Sequence, residues 1–426
     1  MPTKQLTIYC LVTITALLSG CSSISKGITQ AYLEHETEDT RECWITGRSF
    51  DGMDDLLKAD SEAASVTSDV DQLKILMVHG IGNHAPGHSL RLQDGLVEEY
   101  GFDLTDETIK TIGLRHPRYP ESLGVLRVHR YMSRQSPQEM LFYELTWDSI
   151  VDKEKELLSF DYSTEATIKR APFNHTLKTF LNNTVPDALV YNTKYRVPIQ
   201  LSVAQAICWI LSEKWENLPS NEERECIIDD PNYFSQVDNS SFAIISHSLG
   251  SRISLDALQE SMQHVTKRPD YQKIGEAFKN KPIYIYMLSN QLPLLQTGQE
   301  LPEVHDQVKS FCTAEGERYD ERFFEKLQIV AFSDPNDLFS YAVSPAYANR
   351  YIDSRLCPVV SNVTIQIAQV RSFLLGTTEL ANPLVAHSDY EVDSRVLKML
   401  VSGFGKDQEQ EEVKERCEFI ESIPDD

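Results

Sequence analysis

The sequence predicts an α/β fold whose central sheet is mostly parallel and is covered by helices on both faces. Short apolar runs recur along the chain, as expected for strands that are buried on both faces. Patterns with helical spacing lie between them, and this alternation is typical of parallel sheets. The predicted strands are Leu73–Val78, Glu139–Trp147, Phe242–Ile245, Pro282–Leu288 and Leu327–Phe332, and the clearest predicted helices are Ser89–Glu99, Ser251–Val265 and Ser394–Val401.

One stretch departs from this alternation. Residues 148–237 contain two or three helical patterns without a clear strand between them. We expect a helical insertion that lies over the functional site like a cap, although part of the stretch also fits the regular helix before the strand at Phe242. The predicted organisation is a leader over residues 1–20, a tether over 21–70, one large domain over 71–402 and an acidic tail over 403–426.

The leader predicts export and a lipid anchor. Lys4 precedes the apolar run Leu6–Leu18, which is too short to span a bilayer comfortably and fits the hydrophobic region of a signal peptide. The string Leu-Ser-Gly-Cys that ends at Cys21 resembles the bacterial lipobox. This resemblance implies cleavage before Cys21, a diacylglycerol thioether and an acylated amine, which together anchor a chain stably. Ser22 favours the outer membrane, and the alternative is an ordinary secretory peptide with a chance cysteine.

The charge of the chain excludes electrostatic binding of nucleic acid. The 426 residues include 40 Lys and Arg against 64 Asp and Glu, which gives a formal net charge of −24. Phosphate backbones and anionic lipid surfaces repel such a chain. We therefore expect membrane attachment to come from the anchor and not from a basic face.

Cysteine usage fits an oxidising compartment. Besides Cys10 in the leader and Cys21, the chain has six cysteines, and an even number allows up to three disulfides. The sequence does not determine their pairing, and Cys208 also fits a buried thiol. No CxxC pair occurs, so zinc and redox sites are poor interpretations. The six are Cys43, Cys208, Cys226, Cys312, Cys357 and Cys417.

The residues that predict chemistry surround Ser248. An apolar strand runs into Ser246-His247-Ser248-Leu249-Gly250 and then into a helix. A serine on a sharp strand-to-helix turn needs small residues two positions before and after it, because the two backbones approach closely there. Gly250 satisfies this rule, and Ser246 stands where glycine is usual. The alternative interpretation is a helix N-terminus at which Ser246 or Ser248 is only an N-cap.

This stretch resembles the nucleophile elbow, Gly-x-Ser-x-Gly, of the α/β-hydrolase superfamily. The resemblance extends over roughly residues 73–401, without the helical insertion. It implies that Ser248 is a nucleophile and that the backbone N–H of Leu249, at a helix N-terminus, stabilises an oxyanion.

A second match lies upstream, where Val78-His79-Gly80-Ile81-Gly82 follows the first strand. It resembles the His-Gly oxyanion loop of the same superfamily, which implies Ile81 as the other N–H donor, with Gly82 as the alternative. A metal cluster of His79, His84 and His88 is a weaker interpretation, since their spacing does not repeat on one helical face.

The order required along the chain is serine, then acid, then histidine. The loop after Leu327–Phe332 contains both Asp334 and Asp337. We prefer Asp337 because it precedes an apolar pair, whereas Asp334 before Pro335 also fits turn chemistry. His387 is the only histidine after Asp337 and lies in a loop-like stretch. The resemblance implies that His387 is the general base.

These residues predict a serine hydrolase that cleaves carboxylic esters through an acyl-enzyme. An acyl lipid is the favoured substrate, because the anchor would hold the protein beside a bilayer and the insertion is apolar around Ala204–Leu211. Amide hydrolysis or acyl transfer could use the same residues. Another class of function is an envelope lipoprotein that keeps the fold without chemistry, and Ser246 is the feature that supports it. No metal or organic cofactor is required.

Overall fold

The fold is described from a computed structural model of the chain. The described residues are 39–57, 71–104, 109–163, 169–227, 237, 240–373, 378–405 and 410–420. The leader, the lipobox and Cys21 lie outside them. The chain divides into two compact units, one of residues 1–40 and 154–183 and one of residues 41–153 and 184–426. The described part of the first unit is mostly helical, and the second unit contains the sheets.

The elements alternate between strands and helices over most of the chain. The strands are β1 (Cys43–Thr46), β2 (Phe50–Asp51), β3 (Asp71–Val78), β4 (Phe102–Leu104), β5 (Lys110–Leu114), β6 (Val125–Ser133), β7 (Gln138–Thr146), β8 (Glu222–Arg224), β9 (Ser240–His247), β10 (Pro282–Leu288), β11 (Lys326–Ser333), β12 (Pro358–Ile365), β13 (Arg371–Phe373), β14 (Thr378–Leu380), β15 (Gly403–Phe404) and β16 (Cys417–Ile420). The α-helices are α1 (Leu90–Tyr100), α2 (Asp152–Ser163), α3 (Pro172–Tyr191), α4 (Arg196–Ser212), α5 (Leu249–Lys267), α6 (Gln272–Lys279), α7 (Leu292–Leu295), α8 (Val308–Cys312), α9 (Pro345–Tyr351), α10 (Pro383–Ser388), α11 (Ser394–Ser402) and α12 (Glu411–Arg416). No helix in the described ranges is long and apolar enough to cross a bilayer.

The main sheet is mixed but mostly parallel. Its strand order is β16-β1-β12-β11-β10-β9-β3-β7-β6-β5-β8, and β4 pairs with β6. The six strands from β12 to β7 in this order are all parallel to one another. Antiparallel strands flank them, with β6 beside β7 and β1 beside β12. The predicted α/β class with a mostly parallel sheet is therefore confirmed.

Helices cover both faces of this sheet. In β3, Leu76 and Val78 enter one apolar core, whereas Ile75 and Met77 enter another. Helices α4 and α5 contribute to the first core, and α1 and α11 contribute to the second. Successive side chains of a strand point to opposite faces, so this division places one core on each face. Because helices cover both faces of the sheet, β3 is buried on both sides and most of its side chains are apolar.

The stretch predicted as a cap-like insertion contains a regular covering helix. Helix α4 is buried along most of its length and packs against β3 and β7. Its buried residues include Ile199, Gln205 and Leu211, which occur on different sides of the helix, as expected for a helix enclosed by other elements. This part of residues 148–237 therefore agrees with the alternative that the sequence left open.

Two predicted segments of the chain are wrong in part. Residues 21–70 include β1, which is a strand of the sheet and not a tether. The acidic tail over 403–426 includes β16, which pairs parallel with β1. The Cys43–Cys417 disulfide joins residues that face each other in this pairing. Strands of four residues are too short to show a period, and each is held by a partner far away in the sequence.

All six cysteines predicted to survive export are paired. The disulfides are Cys43–Cys417, Cys208–Cys226 and Cys312–Cys357. Cys208, which also fitted a buried thiol, therefore forms a bond. Disulfides form and persist mainly in oxidising compartments, so the pairing of these cysteines is compatible with export.

Loss of the Cys43–Cys417 disulfide should lower stability more than loss of the Cys208–Cys226 disulfide. The first joins residues 374 positions apart and the second joins residues 18 positions apart. Loop-closure entropy gives about 6 and about 3 kcal/mol for loops of these lengths. We expect the variant with Cys43→Ala and Cys417→Ala to melt at a lower temperature than the variant with Cys208→Ala and Cys226→Ala, as measured by circular dichroism. An equal or smaller loss for the first pair would show that β16 does not depend on its disulfide.

Candidate active site

Ser248 lies on a sharp turn between β9 and α5. Its backbone has φ 55° and ψ −124°, a conformation that non-glycine residues adopt only when their surroundings impose it. The N–H of Ser248 donates to the carbonyl of Leu288 at 2.9 Å, which fastens the turn to the end of β10. The side chain is fully buried and makes no capping hydrogen bond. The geometry therefore differs from that of an ordinary N-cap serine.

The residues two positions before and after Ser248 are small for different structural reasons. A Cβ atom on Gly250 would stand 2.3 Å from the carbonyl oxygen of Val78, so only glycine fits between α5 and β3. Ser246 is buried in β9, and its hydroxyl donates to the carbonyl of Tyr286 at 3.4 Å. Serine is accommodated at this position because the neighbouring strand offers an acceptor.

The loop after β3 lies against the nucleophile. A Cβ atom on Gly80 would stand 2.5 Å from Ser248 Cβ and 3.0 Å from Ser248 Oγ. His79 fixes this loop, because its Nε2 accepts the N–H of Trp147 at 3.1 Å and its Nδ1–H donates to the carbonyl of Gly80 at 2.9 Å. Because one ring nitrogen accepts a hydrogen bond and the other donates one, His79 is neutral, and its two bonds hold the loop in place.

Three backbone N–H groups were predicted as oxyanion donors. Leu249 begins α5, where the first N–H groups have no acceptor within the helix. Ile81 directly follows Gly80, the residue of this loop that lies against Ser248. The alternative donor, Gly82, gives its N–H to Asp187 Oδ2 at 2.7 Å. Ile81 and Leu249 are therefore the pair that fits an oxyanion hole better.

The three histidines considered as metal ligands form a packed cluster. The rings of His79, His84 and His88 lie 4.0 to 5.2 Å apart, and His79 also stacks on Trp147 at 5.0 Å. Within the described ranges no group of three or more His, Cys, Asp or Glu side chains could hold a metal ion. The cluster shapes the loop after β3.

Asp337 and His387 form a direct pair. His387 Nδ1 lies 3.0 Å from Asp337 Oδ1 and 3.1 Å from Oδ2. Burial alone would raise the pKa of Asp337, but the hydrogen bond and electrostatic interaction with His387, together with hydrogen bonds from Ser289 and the N–H of Phe339, hold that pKa below its ordinary value. Asp337 Oδ1 also accepts the N–H of Phe339 at 3.0 Å. The carboxylate is therefore ionised and oriented toward the imidazole, as the acid of a triad must be.

Asp334, the alternative acid, organises backbone instead. Its Oδ2 accepts the N–H groups of Ile367 and Ala368 at 2.7 and 3.0 Å, and its Oδ1 accepts the N–H of Asn336 at 2.7 Å. This agrees with the turn chemistry that the following proline suggested. Of the two aspartates, it is Asp337 that contacts His387.

His387 lies on a short helix and not in a loop, so the predicted local structure is wrong. Helix α10 has six residues, too few to show a helical period, and Asn382 caps its N-terminus. The carbonyl of His387 accepts the Nε2–H of His247 at 2.7 Å, and the two rings lie 5.1 Å apart. Burial, followed by the nearby His387, lowers the pKa of His247 to about 3, so His247 is neutral and holds α10 beside the turn at Ser248.

The Ser248 hydroxyl has no hydrogen-bond partner among the residues that the structure describes. His387 is held near this turn through His247, which contacts it and precedes Ser248 in the chain. Nucleophile-to-base hydrogen bonds are often long before substrate binds and shorten in the complex. The arrangement brings serine, histidine and acid to one edge of the sheet.

The sequence analysis missed Ser289, the residue after β10. Its Oγ lies 2.6 Å from Asp337 Oδ2 and 2.9 Å from His387 Nδ1. Its position in the sequence could have identified it, because a polar residue directly after a buried parallel strand lies at the sheet edge where such folds bind ligands.

A groove of about 810 Å³ lies away from this constellation. Lys326 and Gln328 line it, at the start of β11, whereas Asp337 follows the end of the same strand. The groove is therefore at the opposite edge of the sheet and contributes nothing to the candidate site.

The contact between α5 and β3 should make Gly250 intolerant of even one methyl group. We expect Gly250→Ala to lower the free energy of unfolding by about 2 kcal/mol or more, the usual cost of an overpacked site. Gly275→Ala on α6 is the matched control, because its Cβ would meet only Val265 Cγ1 at 3.6 Å. It should be neutral or stabilising by about 0.4–1 kcal/mol. Urea unfolding measures both, and equal effects would contradict the tight approach.

Comparisons with protein-family models, curated proteins and solved structures found no match to this chain. The geometry comprises a buried serine on a strained turn at the N-terminus of a helix, and an imidazole paired with a carboxylate. Such a set can activate a hydroxyl as a nucleophile and stabilise a negatively charged oxygen.

Proposed function

We propose that this chain is a serine hydrolase with an α/β-hydrolase fold that cleaves carboxylic esters. The observation that carries the proposal is the contact of His387 Nδ1 with Asp337 at the sheet edge where Ser248 stands on its strained turn. The chain order of serine, acid and histidine is that of the superfamily. The sheet supports the same function, because β9, β10 and β11 are parallel neighbours whose carboxyl ends lie side by side.

The reaction would proceed through an acyl-enzyme. His387 Nε2 takes the proton of Ser248 as Oγ attacks the ester carbonyl, and the N–H groups of Ile81 and Leu249 bind the oxyanion. Asp337 stabilises the imidazolium, which then protonates the departing alcohol. Water attacks the acyl-serine with His387 again as base, and this step releases the carboxylic acid and restores Ser248.

Exposed apolar side chains in the same loops favour an acyl substrate. Leu338 directly follows Asp337 and is 69% exposed, and Leu384, one turn before His387, is 56% exposed. Leucines exposed next to catalytic groups can contact a hydrocarbon chain without a cost in desolvating charge. We therefore favour acyl esters, including lipids, as substrates. Amide hydrolysis and acyl transfer could use the same triad. Assays with amide substrates and with acyl acceptors other than water test these two activities.

We further propose that Cys21 carries a lipid anchor, so that the domain works at a membrane of the bacterial envelope, most favourably the outer membrane. The support is the lipobox-like string in the leader and the net charge of −24, which gives the chain no electrostatic means of binding an anionic bilayer. The three disulfides are compatible with a location outside the cytoplasm.

Replacement of Ser248 should abolish catalysis. We expect a chain that lacks residues 1–21 to hydrolyse nitrophenyl esters and to be labelled at Ser248 by a fluorophosphonate probe, with peptide mapping of the adduct. The Ser248→Ala variant should show neither property. Full activity in that variant would exclude Ser248 as the nucleophile, and failure of the folded wild-type chain to react would favour an envelope lipoprotein without chemistry.

The two aspartates provide a matched test of the acid. Asp337→Asn should reduce kcat by about 10⁴-fold, because an amide in place of the carboxylate permits the wrong imidazole tautomer. Asp334→Asn makes the same chemical change three residues earlier, where the side chain binds only backbone and Asn336. It should retain most of kcat when assayed well below its melting temperature. Similar losses in both variants would contradict the assignment of Asp337.

Lipid attachment is tested in the full chain expressed in a bacterium. We expect incorporation of labelled palmitate and recovery in the detergent phase, and we expect Cys21→Ser to lose both. Cys10→Ser is the matched control, since it also removes a cysteine from the N-terminal region but leaves the lipobox intact. Labelling of the Cys21→Ser variant would refute the anchor.

A further inference from the structure

We infer that Ser289 is a positioning residue of the proposed hydrolase, which holds Asp337 and His387 together and keeps the proton on His387 Nδ1. The inference rests on the proposed function. Ser289 is fully buried, and its hydroxyl contacts both members of the acid–base pair, at 2.6 Å from Asp337 Oδ2 and 2.9 Å from His387 Nδ1.

The hydrogen-bond network assigns each proton. An ionised Asp337 has none to donate, so the hydroxyl hydrogen of Ser289 points to Oδ2 and an oxygen lone pair faces His387. Three oxygen atoms then surround Nδ1, namely Asp337 Oδ1 and Oδ2 and Ser289 Oγ, at 2.9 to 3.1 Å. None directs a hydrogen at Nδ1, so Nδ1 carries the proton and Nε2 keeps its lone pair. This tautomer is the one that a general base requires.

The hydroxyl also fixes the carboxylate. Asp337 Oδ1 is held by the N–H of Phe339, whereas Oδ2 receives the hydroxyl of Ser289. Without that hydroxyl the carboxylate could rotate about its single remaining backbone contact. A rotated carboxylate would shift the negative charge that stabilises the imidazolium when Ser248 attacks the ester. Even a small shift matters, because transition-state stabilisation depends steeply on alignment.

The backbone of the same residue is strained. Ser289 has φ 51°, which is uncommon for a residue other than glycine, asparagine or aspartate. Leu288, immediately before it, accepts the N–H of Ser248. Consecutive residues at the end of β10 therefore hold all three members of the proposed triad, Leu288 by its carbonyl and Ser289 by its side chain. A glycine would fit this backbone with less strain, so the serine is explained by its hydroxyl.

Three substitutions separate the hydroxyl from the backbone. Ser289→Ala removes the hydroxyl and keeps the strain, Ser289→Gly removes both, and Ser289→Thr keeps a hydroxyl. The control is Ser254→Ala on α5, because Ser254 is equally buried and its hydroxyl has no partner among the described residues. Measurements are kcat and KM for a nitrophenyl ester, the rate of fluorophosphonate labelling and the downfield proton NMR resonance of the imidazole Nδ1–H.

We expect both Ser289→Ala and Ser289→Gly to lower kcat and the labelling rate by about 10- to 100-fold, as for loss of one hydrogen bond to a charged group. KM should stay unchanged because no substrate contact is lost. The downfield resonance should weaken in both variants and persist in Ser289→Thr, which should also recover part of kcat. Ser254→Ala should match the wild type.

A wild-type labelling rate in Ser289→Gly would overturn the inference, because it would show that the reaction does not need the hydroxyl. The same holds if the downfield resonance is unchanged in Ser289→Ala and Ser289→Gly. In either case a reactive wild-type chain would leave the proposed function intact. Failure of the wild-type chain itself to react would instead refute the proposed function, so the two failures are distinguishable.

Discussion

The close approach of two backbones, at the end of β3 and the start of α5, is the constraint on which the candidate site depends. A Cβ atom on Gly250 would meet the carbonyl of Val78 at 2.3 Å, and one on Gly80 would meet Ser248 at 2.5 Å. These contacts leave no room for Ser248 to relax from its positive φ of 55°. Burial of β3 and α5 in the main apolar core supplies the free energy that holds the strained turn in place.

The strand β10 couples this turn to the acid and the histidine. Leu288 binds the Ser248 backbone, and Ser289 binds Asp337 and His387. Asn290 continues the same connection, because its backbone and side chain hydrogen bond to Tyr341 beyond the acid loop. Neutral His247 completes the arrangement from the other side by holding the carbonyl of His387. A site assembled from separate loops and a short helix is thereby fixed by contacts with two adjacent strands, β9 and β10.

The sequence predicted the α/β class and the central strands because long buried strands such as β3 and β11 have a clear apolar composition. It also predicted Asp337 and His387, which the structure pairs, and it predicted the sharp turn that carries Ser248, since the order and flanking residues of all three are local features. It could not predict β1 and β16, whose pairing brings together residues 374 positions apart in the sequence. Nor could it predict Ser289, because a lone serine after a strand becomes informative only when the loops around it are placed.

The most direct measurement is a crystal structure of the chain after reaction with an organophosphonate ester. The account predicts phosphorus bonded to Ser248 Oγ and a phosphonyl oxygen within about 3 Å of the N–H groups of Ile81 and Leu249. It also predicts that His387 Nε2 comes within hydrogen-bond reach of Ser248 Oγ or of the ester oxygen that remains on phosphorus, with Nδ1 still on Asp337. Modification of a different residue, or a phosphonyl oxygen that faces away from both N–H groups, would contradict it.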